Sequence, residues 1–235
     1  MRPSHSRAMV RAAIRRGLQA AKDNLRPGLA LWLVAVTVVT LYYASPRART
    51  ALDALAAFKQ RWGYGFAVIS TACWGGLVPP LLLRISIRSP ERRPVLGGST
   101  VAFLTLFWGY KGAEVNLLYE ALAETVGTGT DITTVLTKVA IDQLLYGPLW
   151  AVPSLAVAFL WKEQGYALGR TLAALDRRFF ETVALPMLLA NWGVWIPTVA
   201  AIYALPLGLQ LPMQNLALCL WSLMLAAMTS RTKTT

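Results

Sequence analysis

Long apolar runs alternate with short polar connections along this chain. A helix that crosses a bilayer needs about 20 apolar residues, and each run approaches or exceeds that length. The runs predict five candidate spans, at residues 28–44, 66–87, 95–123, 132–161 and 195–229. The pattern therefore predicts an all-α integral membrane helical bundle, with four core spans and one additional N-terminal span.

The segment before the last span has a different pattern. Residues 169–190 mix arginines with leucines and phenylalanines, which is typical of an amphipathic helix lying on a membrane surface. Trp192 and Trp195 follow, where tryptophans often anchor a helix at the membrane interface. Pro197 and Pro206 then interrupt the apolar run, so we expect the last span to be kinked or broken.

Composition supports a membrane protein. Hydrophobic residues make up 56% of the chain and charged residues only 14%, which is more apolar surface than a water-soluble domain of this length could bury. The net charge of +12 is spread over segments that flank the spans. Such charges indicate contact with anionic membrane lipids and orientation in the membrane, and they do not form the compact basic surface of a nucleic-acid-binding protein.

The distribution of basic residues predicts an orientation. Residues 1–27 are strongly basic, whereas the connection 125–131 has no lysine or arginine. We therefore expect the N-terminus in the cytoplasm and the connection on the opposite side. The same N-terminal stretch is also typical of an organellar transit peptide. The pattern favours a bacterial inner membrane, with an organellar inner membrane as the alternative.

The sequence offers little chemistry for catalysis. His5 is the one histidine, and both cysteines, Cys73 and Cys219, lie in apolar runs as plain buried side chains. No His/Cys cluster for a metal and no pairing of a nucleophile with a histidine base can be assembled. We therefore predict a protein that is not an enzyme and needs no cofactor.

Charged residues inside two of the predicted spans are the candidate functional residues. Lys111 and Glu114 share one helical face because they are three residues apart, and Lys138 and Asp142 share another because they are four apart. A short connection predicts that the two helices are antiparallel neighbours. Matching depths then predict two crossed ion pairs, Lys111 with Asp142 and Glu114 with Lys138.

This polar centre has three interpretations. It is a clamp that fixes helix packing, a hydrated path for small solutes, or a proton relay through Asp142 and Glu114. Asn116 and Gln143 lie beside the charges and would belong to the same centre. Nothing in the sequence separates these interpretations.

Several of these residues resemble the motifs of a known family, that of Mpv-seventeen and the twenty-two-kilodalton peroxisomal membrane protein. The segment KVAIDQLLYGP is similar to the family's lysine, then aspartate-glutamine, then proline, and NWGVWIP is similar to the tryptophan-rich start of its last span. A third segment, GAEVNLLY, retains only the family's glycine and tyrosine. The matching positions are Lys138, Asp142, Gln143, Pro148, Trp192, Trp195, Pro197, Pro206, Trp221, Gly112 and Tyr119.

The resemblance implies a small helical membrane protein that forms a weakly selective channel or facilitator for small metabolites. Residues 66–229 would be the family-like membrane domain, preceded by a basic segment at 1–27 and an additional span with its linker at 28–65, and followed by a tail at 230–235. The alternative is a non-transporting structural or stress-related membrane protein. Expected partners are membrane lipids and an unidentified small solute, with no nucleic acid, and the GxxxG spacing of Gly165 and Gly169 leaves a homo-oligomer possible.

Overall fold

The structure is a computed structural model that describes residues 3–86 and 97–232. Every element in those residues is a helix, as the apolar pattern predicts. The α-helices are α1 (Pro3–Asp23), α2 (Leu25–Ala44), α3 (Pro46–Thr71), α4 (Val78–Ser86), α5 (Gly98–Thr125), α6 (Ile132–Ile141), α7 (Val152–Glu163), α8 (Leu168–Ala174), α9 (Arg177–Phe179), α10 (Leu185–Tyr203) and α11 (Leu207–Thr232).

Wider π-helical segments continue several of these helices into the next. Ala72–Leu77 joins α3 to α4, Asp142–Ala151 joins α6 to α7, and Phe180–Ala184 joins α9 to α10. A π-helical turn pairs each N–H with the carbonyl five residues earlier, and such turns are often found at functional positions in helices. The segment Asp142–Ala151 contains the aspartate-glutamine pair and the proline that the sequence singled out.

The helices divide into two compact units. The first unit comprises Met1–Leu29 with Leu136–Pro197, and the second comprises Ala30–Val135 with Thr198–Thr235. In the second unit α3 packs on both α5 and α11, and α5 also packs on α11. In the first unit α1 packs against the π-helical segment Phe180–Ala184.

α3 begins about 20 residues before the span predicted at 66–87. Ser45 is its N-cap, accepting a hydrogen bond from the Ala48 N–H, and Pro46 occupies the first helical position. Both residues are strong helix-start signals. Residues 46–65, predicted to be a linker, are therefore helical except at Gly63, whose φ of 50° and ψ of −126° place a kink there.

A polar corner joins α2 to α3. Arg49 donates to the carbonyls of Tyr42 (3.1 Å) and Tyr43 (3.3 Å), which end α2 and have no partner within it. The Tyr42 hydroxyl donates to Asp53 at 3.0 Å. The basic residues before the predicted second span thus include one that caps a helix.

The C-terminal segment agrees with the prediction at one place and differs from it at another. The predicted last span, 195–229, is broken at Ala204–Pro206 into α10 and α11, as expected from a proline that cannot continue the hydrogen-bond ladder. The predicted amphipathic surface helix at 169–190 is not one element. α8 ends at Ala174, and from Phe180 onward the chain is a continuous apolar helix to Tyr203.

Three helical stretches are long and apolar enough to cross a membrane, namely Pro46–Leu82, Ile132–Glu163 and Phe180–Tyr203. A fourth is added if Val10–Asp23 and Gly28–Ala44 form one span. α5 and α11 are not in this set, because charged and amide side chains lower their hydropathy. The helices are compatible with a membrane protein.

Candidate functional site

Polar side chains from α3, α5 and α11 meet inside the second unit, and we call this set the polar cluster. α5 runs antiparallel to α3, because Glu120 lies near Tyr64 while Gly112 lies near Thr71. The polar cluster extends from Lys59 to Thr71 of α3, a stretch that includes a kink at Gly63. Its members are Lys59, Tyr64, Ser70, Thr71, Asn116, Tyr119, Glu120, Gln214 and Asn215.

Glu120 organises one end of the polar cluster. Its Oε2 accepts from the Tyr64 hydroxyl at 3.0 Å, and its Oε1 accepts from the Asn116 amide at 2.8 Å. Lys59 Nζ lies 3.9 Å from the same Oε1, and the Lys59 side chain is almost fully buried. Because a buried ammonium is stable only near an opposite charge, Glu120 explains why a lysine is tolerated here.

Asn215 organises the other end of the polar cluster. Its Oδ1 accepts from the Thr71 hydroxyl at 2.8 Å, and its Nδ2 donates to Ser70 Oγ at 2.9 Å. The Ser70 hydroxyl in turn donates to the Phe66 carbonyl at 2.6 Å. These bonds join α3 to α11 through side chains that lie among apolar neighbours.

Two further polar contacts involve α5. The Tyr119 hydroxyl donates to Gln214 Oε1 at 3.2 Å, and the Tyr119 ring packs edge-on against Tyr203 with centroids 5.5 Å apart. Lys111 forms an ion pair with Glu114 on the same helix. The two side chains can pair because they are three residues apart and lie on one face of α5.

Two buried amide oxygens near the polar cluster accept no hydrogen bond from the part of the chain that the structure describes. They are Oδ1 of Asn116 and Oε1 of Gln210. A buried acceptor without a partner costs about 1–3 kcal/mol unless water or a ligand satisfies it. These oxygens are therefore positions at which a water or a small polar solute would be held.

Gly112 lets α5 approach α3 closely at the polar cluster. A Cβ at this position would lie 2.2 Å from the Ala67 carbonyl oxygen and 2.6 Å from Thr71 Oγ1, much too close for any side chain. Gly76 packs in the same way, since its Cβ would lie 2.8 Å from the Leu104 carbonyl oxygen. Glycine at these two positions lets the backbones of neighbouring helices approach closely.

The first unit contains the remaining residues of the predicted polar centre. Lys138 is 1% exposed, Asp142 is 5% exposed and Gln143 is 6% exposed, so all three are buried. Gln143 Nε2 donates to Asp142 Oδ1 at 3.1 Å. The predicted pairs of Lys111 with Asp142 and of Glu114 with Lys138 would join residues of different units, and they stay predictions.

Pro148 and Trp192 are linked through one carbonyl of the first unit. Pro148 lies inside the π-helical segment, where an N–H at its position would serve the carbonyl five residues earlier, that of Gln143. Proline has no N–H. The Trp192 indole N–H donates to this carbonyl instead, at 2.8 Å. Trp192 thus replaces the hydrogen bond that Pro148 removes.

The other residues predicted to frame the last span lie in different environments. Trp195 is buried, Pro197 is exposed within α10, and Trp221 is partly buried in α11. Pro206 ends the break between α10 and α11, and the Leu209 N–H donates to its carbonyl at 2.8 Å. Among residues 3–86 and 97–232, no group of three or more metal-binding side chains comes together.

The sequence analysis missed the Glu120 end of the polar cluster. Lys59 fell in the predicted linker, because the predicted second span began at residue 66, and Glu120, near the end of the predicted span at 95–123, was not singled out. The Ser45-Pro46 helix-start signal would have extended the helix back over Lys59. No local signal pairs Lys59 with Glu120, which is 61 positions away in the chain.

Comparison of the chain with protein-family models, with curated proteins and with solved structures gives no match in any of the three.

Proposed function

We propose that the chain is a multi-pass membrane protein that acts as a weakly selective channel or facilitator for small solutes. The observation that carries this proposal is the polar cluster, a row of hydrogen-bonding groups along the contact of three helices. An apolar bundle has no packing need for so many polar side chains, and intramembrane polar residues commonly mark solute pathways.

The charges and amides of the polar cluster suit small polar solutes of either sign. Lys59 and Glu120 present opposite charges at one end, which disfavours strong ion selectivity. The acceptor oxygens of Asn116 and Gln210 offer sites at which a solute can exchange its water for protein hydrogen bonds. In this proposal α5 and α11 are spans in addition to the three apolar stretches.

The resemblance to the family of Mpv-seventeen and the twenty-two-kilodalton peroxisomal membrane protein supports the same proposal. Three residues that carry part of that resemblance have specific surroundings in the structure. Gly112 lies against α3, and Tyr119 and Trp192 donate hydrogen bonds. We propose membership of that family and location in a bacterial inner membrane.

The alternative function, a structural membrane protein without transport, is favoured by a different observation. Most groups of the polar cluster bond to one another, as Thr71, Asn215 and Ser70 do. In the alternative function, the sole role of these bonded side chains is to fix the register of α3 against α11. The two functions differ in whether solute flux depends on the cluster.

Solute flux into liposomes tests the proposal. Purified protein is reconstituted, and the uptake of glycerol, erythritol and sucrose is followed by light scattering for wild type, Asn116→Leu and Glu120→Gln. We expect the wild type to pass glycerol faster than sucrose, and both variants to change glycerol flux per folded molecule several-fold. Glu124→Gln is the matched control, because Glu124 is an exposed glutamate on the same helix.

Two results would overturn the proposal. Wild-type protein that passes none of the three solutes is not a facilitator for them. Variants that lose thermal stability while flux per folded molecule stays at the wild-type level would assign the polar cluster to packing, as the alternative function requires.

A further inference from the structure

A cavity in the second unit lies next to the Asn215 end of the polar cluster. It has a volume of about 330 Å³ and is lined by α2, α3, the π-helical segment after α3, and α11. Its walls are aliphatic, aromatic, proline and methionine side chains, among them Val38, Leu55 and Trp74. Ser70 and Asn215 are the polar side chains in its lining.

The volume limits the length of any occupant. A water molecule takes about 30 Å³ in the liquid and a methylene group has a similar size, so the cavity holds roughly eleven such groups. The cavity is partly open, so its apolar walls would contact water or lipid unless an apolar molecule fills it. A single chain of about ten carbons fits within it, and a longer chain or a second chain would extend beyond its walls.

The polar side chains determine the head group of the occupant. The Asn215 amide has two N–H donors and gives one of them to Ser70 Oγ, and that oxygen has a second lone pair. A ligand hydroxyl could accept from Asn215 and donate to Ser70 at the same time. A carboxylate could only accept, and among the described residues no cationic side chain lines the cavity to offset its charge.

We infer that this cavity binds a neutral single-chain amphiphile, with its hydroxyl group at Ser70 and Asn215 and a chain of about ten carbons against Val38, Leu55 and Trp74. This ligand is distinct from the small polar solutes of the proposed function. The site is apolar along most of its length and adjoins the polar cluster only at its polar end. The binding of an amphiphile here can therefore be tested independently of the proposed solute transport.

Quenching of tryptophan fluorescence tests this inference. The protein is placed in phosphatidylcholine nanodiscs and titrated with 10-bromo-1-decanol, because a bromine atom in so small a cavity lies within reach of the Trp74 indole. We expect a saturable component of quenching at one ligand per protein. Trp74→Phe removes this component and leaves the linear quenching of the other tryptophans.

A pair of matched variants on α2 tests whether the ligand occupies the cavity. Val38→Phe places a larger side chain in the cavity wall, and we expect its half-saturating concentration to rise at least about tenfold. Val36→Phe makes the same change on the same helix at an exposed position outside the lining, and should bind like wild type. If Val38→Phe does not fold, Leu55→Phe replaces it, since Leu55 is 38% exposed and tolerates a larger side chain.

Changes in the head group test the polar end. Removing one hydrogen bond of about 0.5–1.5 kcal/mol corresponds to a roughly 2- to 12-fold change in affinity. Bromodecanol should therefore bind more tightly than bromodecane by a factor in that range. Ser70→Ala should remove most of the difference. Tighter binding of 10-bromodecanoate would overturn the neutral head group, and linear quenching that is identical in wild type and Trp74→Phe would overturn the site itself.

Discussion

Gly112 is the residue at which α5 comes closest to α3. Gly112→Ala would force a Cβ to within 2.2 Å of the Ala67 carbonyl oxygen, so the helices must separate and the polar cluster must loosen. We expect a loss of about 1–3 kcal/mol in the free energy of unfolding, as for other overpacked interiors. Thermal unfolding in detergent micelles measures it.

Gly109→Ala is the control for this substitution. Gly109 lies one turn earlier on α5, and its Cβ would meet Val68 Cγ1 at 3.3 Å, a contact that a small shift of one side chain can relieve. We expect it to cost much less than Gly112→Ala, and helix propensity would offset part of that cost. Equal losses in the two variants would show that the close approach at Gly112 does not decide stability.

Trp192 donates to the Gln143 carbonyl, which lacks its usual helical partner because Pro148 has no N–H. Trp192→Phe removes the donor to Gln143, and an unsatisfied buried carbonyl costs about 1–3 kcal/mol. Trp195→Phe is the matched control, because it makes the same change at a buried tryptophan whose indole makes no hydrogen bond within the described residues. Thermal unfolding of both variants measures the difference.

A double-mutant cycle isolates the cause of this effect. Pro148→Ala restores a backbone N–H that can serve the Gln143 carbonyl, so Trp192→Phe should cost less in the Pro148→Ala background than in wild type. Additive losses would mean that Pro148 and Trp192 stabilise the first unit independently.

The difference between local and distant contacts decides how much of the site the sequence predicts. Lys111 and Glu114 are three positions apart, so helical geometry alone places them on one face, and the structure pairs them. Trp192 lies 49 positions from Gln143, and the sequence analysis assigned it to the membrane interface because nothing nearby indicated a carbonyl partner. Contacts of this second kind depend on which helices pack together, which a single sequence does not show.

At the scale of the element, the stability of the first turn of α6 should depend on pH. Thr134 donates to Asp131 through its hydroxyl at 2.7 Å and its N–H at 3.0 Å. The hydroxyl bond, followed by the N–H bond, lowers the pKa of Asp131 below its usual value near 3.8. A lowered pKa means that the carboxylate stabilises the helix start above the unfolded-state pKa, and that this contribution is lost as pH falls through the lower folded-state value.

Hydrogen exchange of the Thr134 amide measures this pH effect. Protection in the wild type, relative to the Asp131→Asn variant, should be greatest near neutral pH and should decline as the pH falls below about 4, because protonated Asp131 is a weaker acceptor. The variant keeps one acceptor oxygen without a titrating group, so its own protection should not depend on pH in this range. The same decline in both proteins would mean that Asp131 does not hold the start of α6.

The extent of α3 shows where an apolar pattern is a poor guide to helix ends. The prediction began the helix at residue 66, where the apolar run begins, whereas in the structure a helix starts at Pro46, is kinked at Gly63 and continues to Thr71. The charged residues between them were interpreted as a linker, although a helix needs only its cap and its propensity to extend through polar sequence. Long apolar runs correctly predicted that helices are present, but they did not specify the residues at which the helices begin and end.

At the scale of the whole molecule, α5 decides how many helices cross the membrane. Its 28 residues would extend about 42 Å, more than the roughly 30 Å of a bilayer core, although its charges lower its hydropathy. In a background without Cys73 and Cys219, we expect a membrane-impermeant maleimide to label Gly98→Cys from the cytoplasmic side and Thr128→Cys from the other. Labelling is measured in right-side-out and everted vesicles.

Leu106→Cys is the control, because Leu106 is 73% exposed in the middle of α5 and should stay unlabelled if lipid covers it. Labelling of Gly98→Cys and Thr128→Cys from one side, or rapid labelling of Leu106→Cys, would remove α5 from the spans and the polar cluster from the membrane interior.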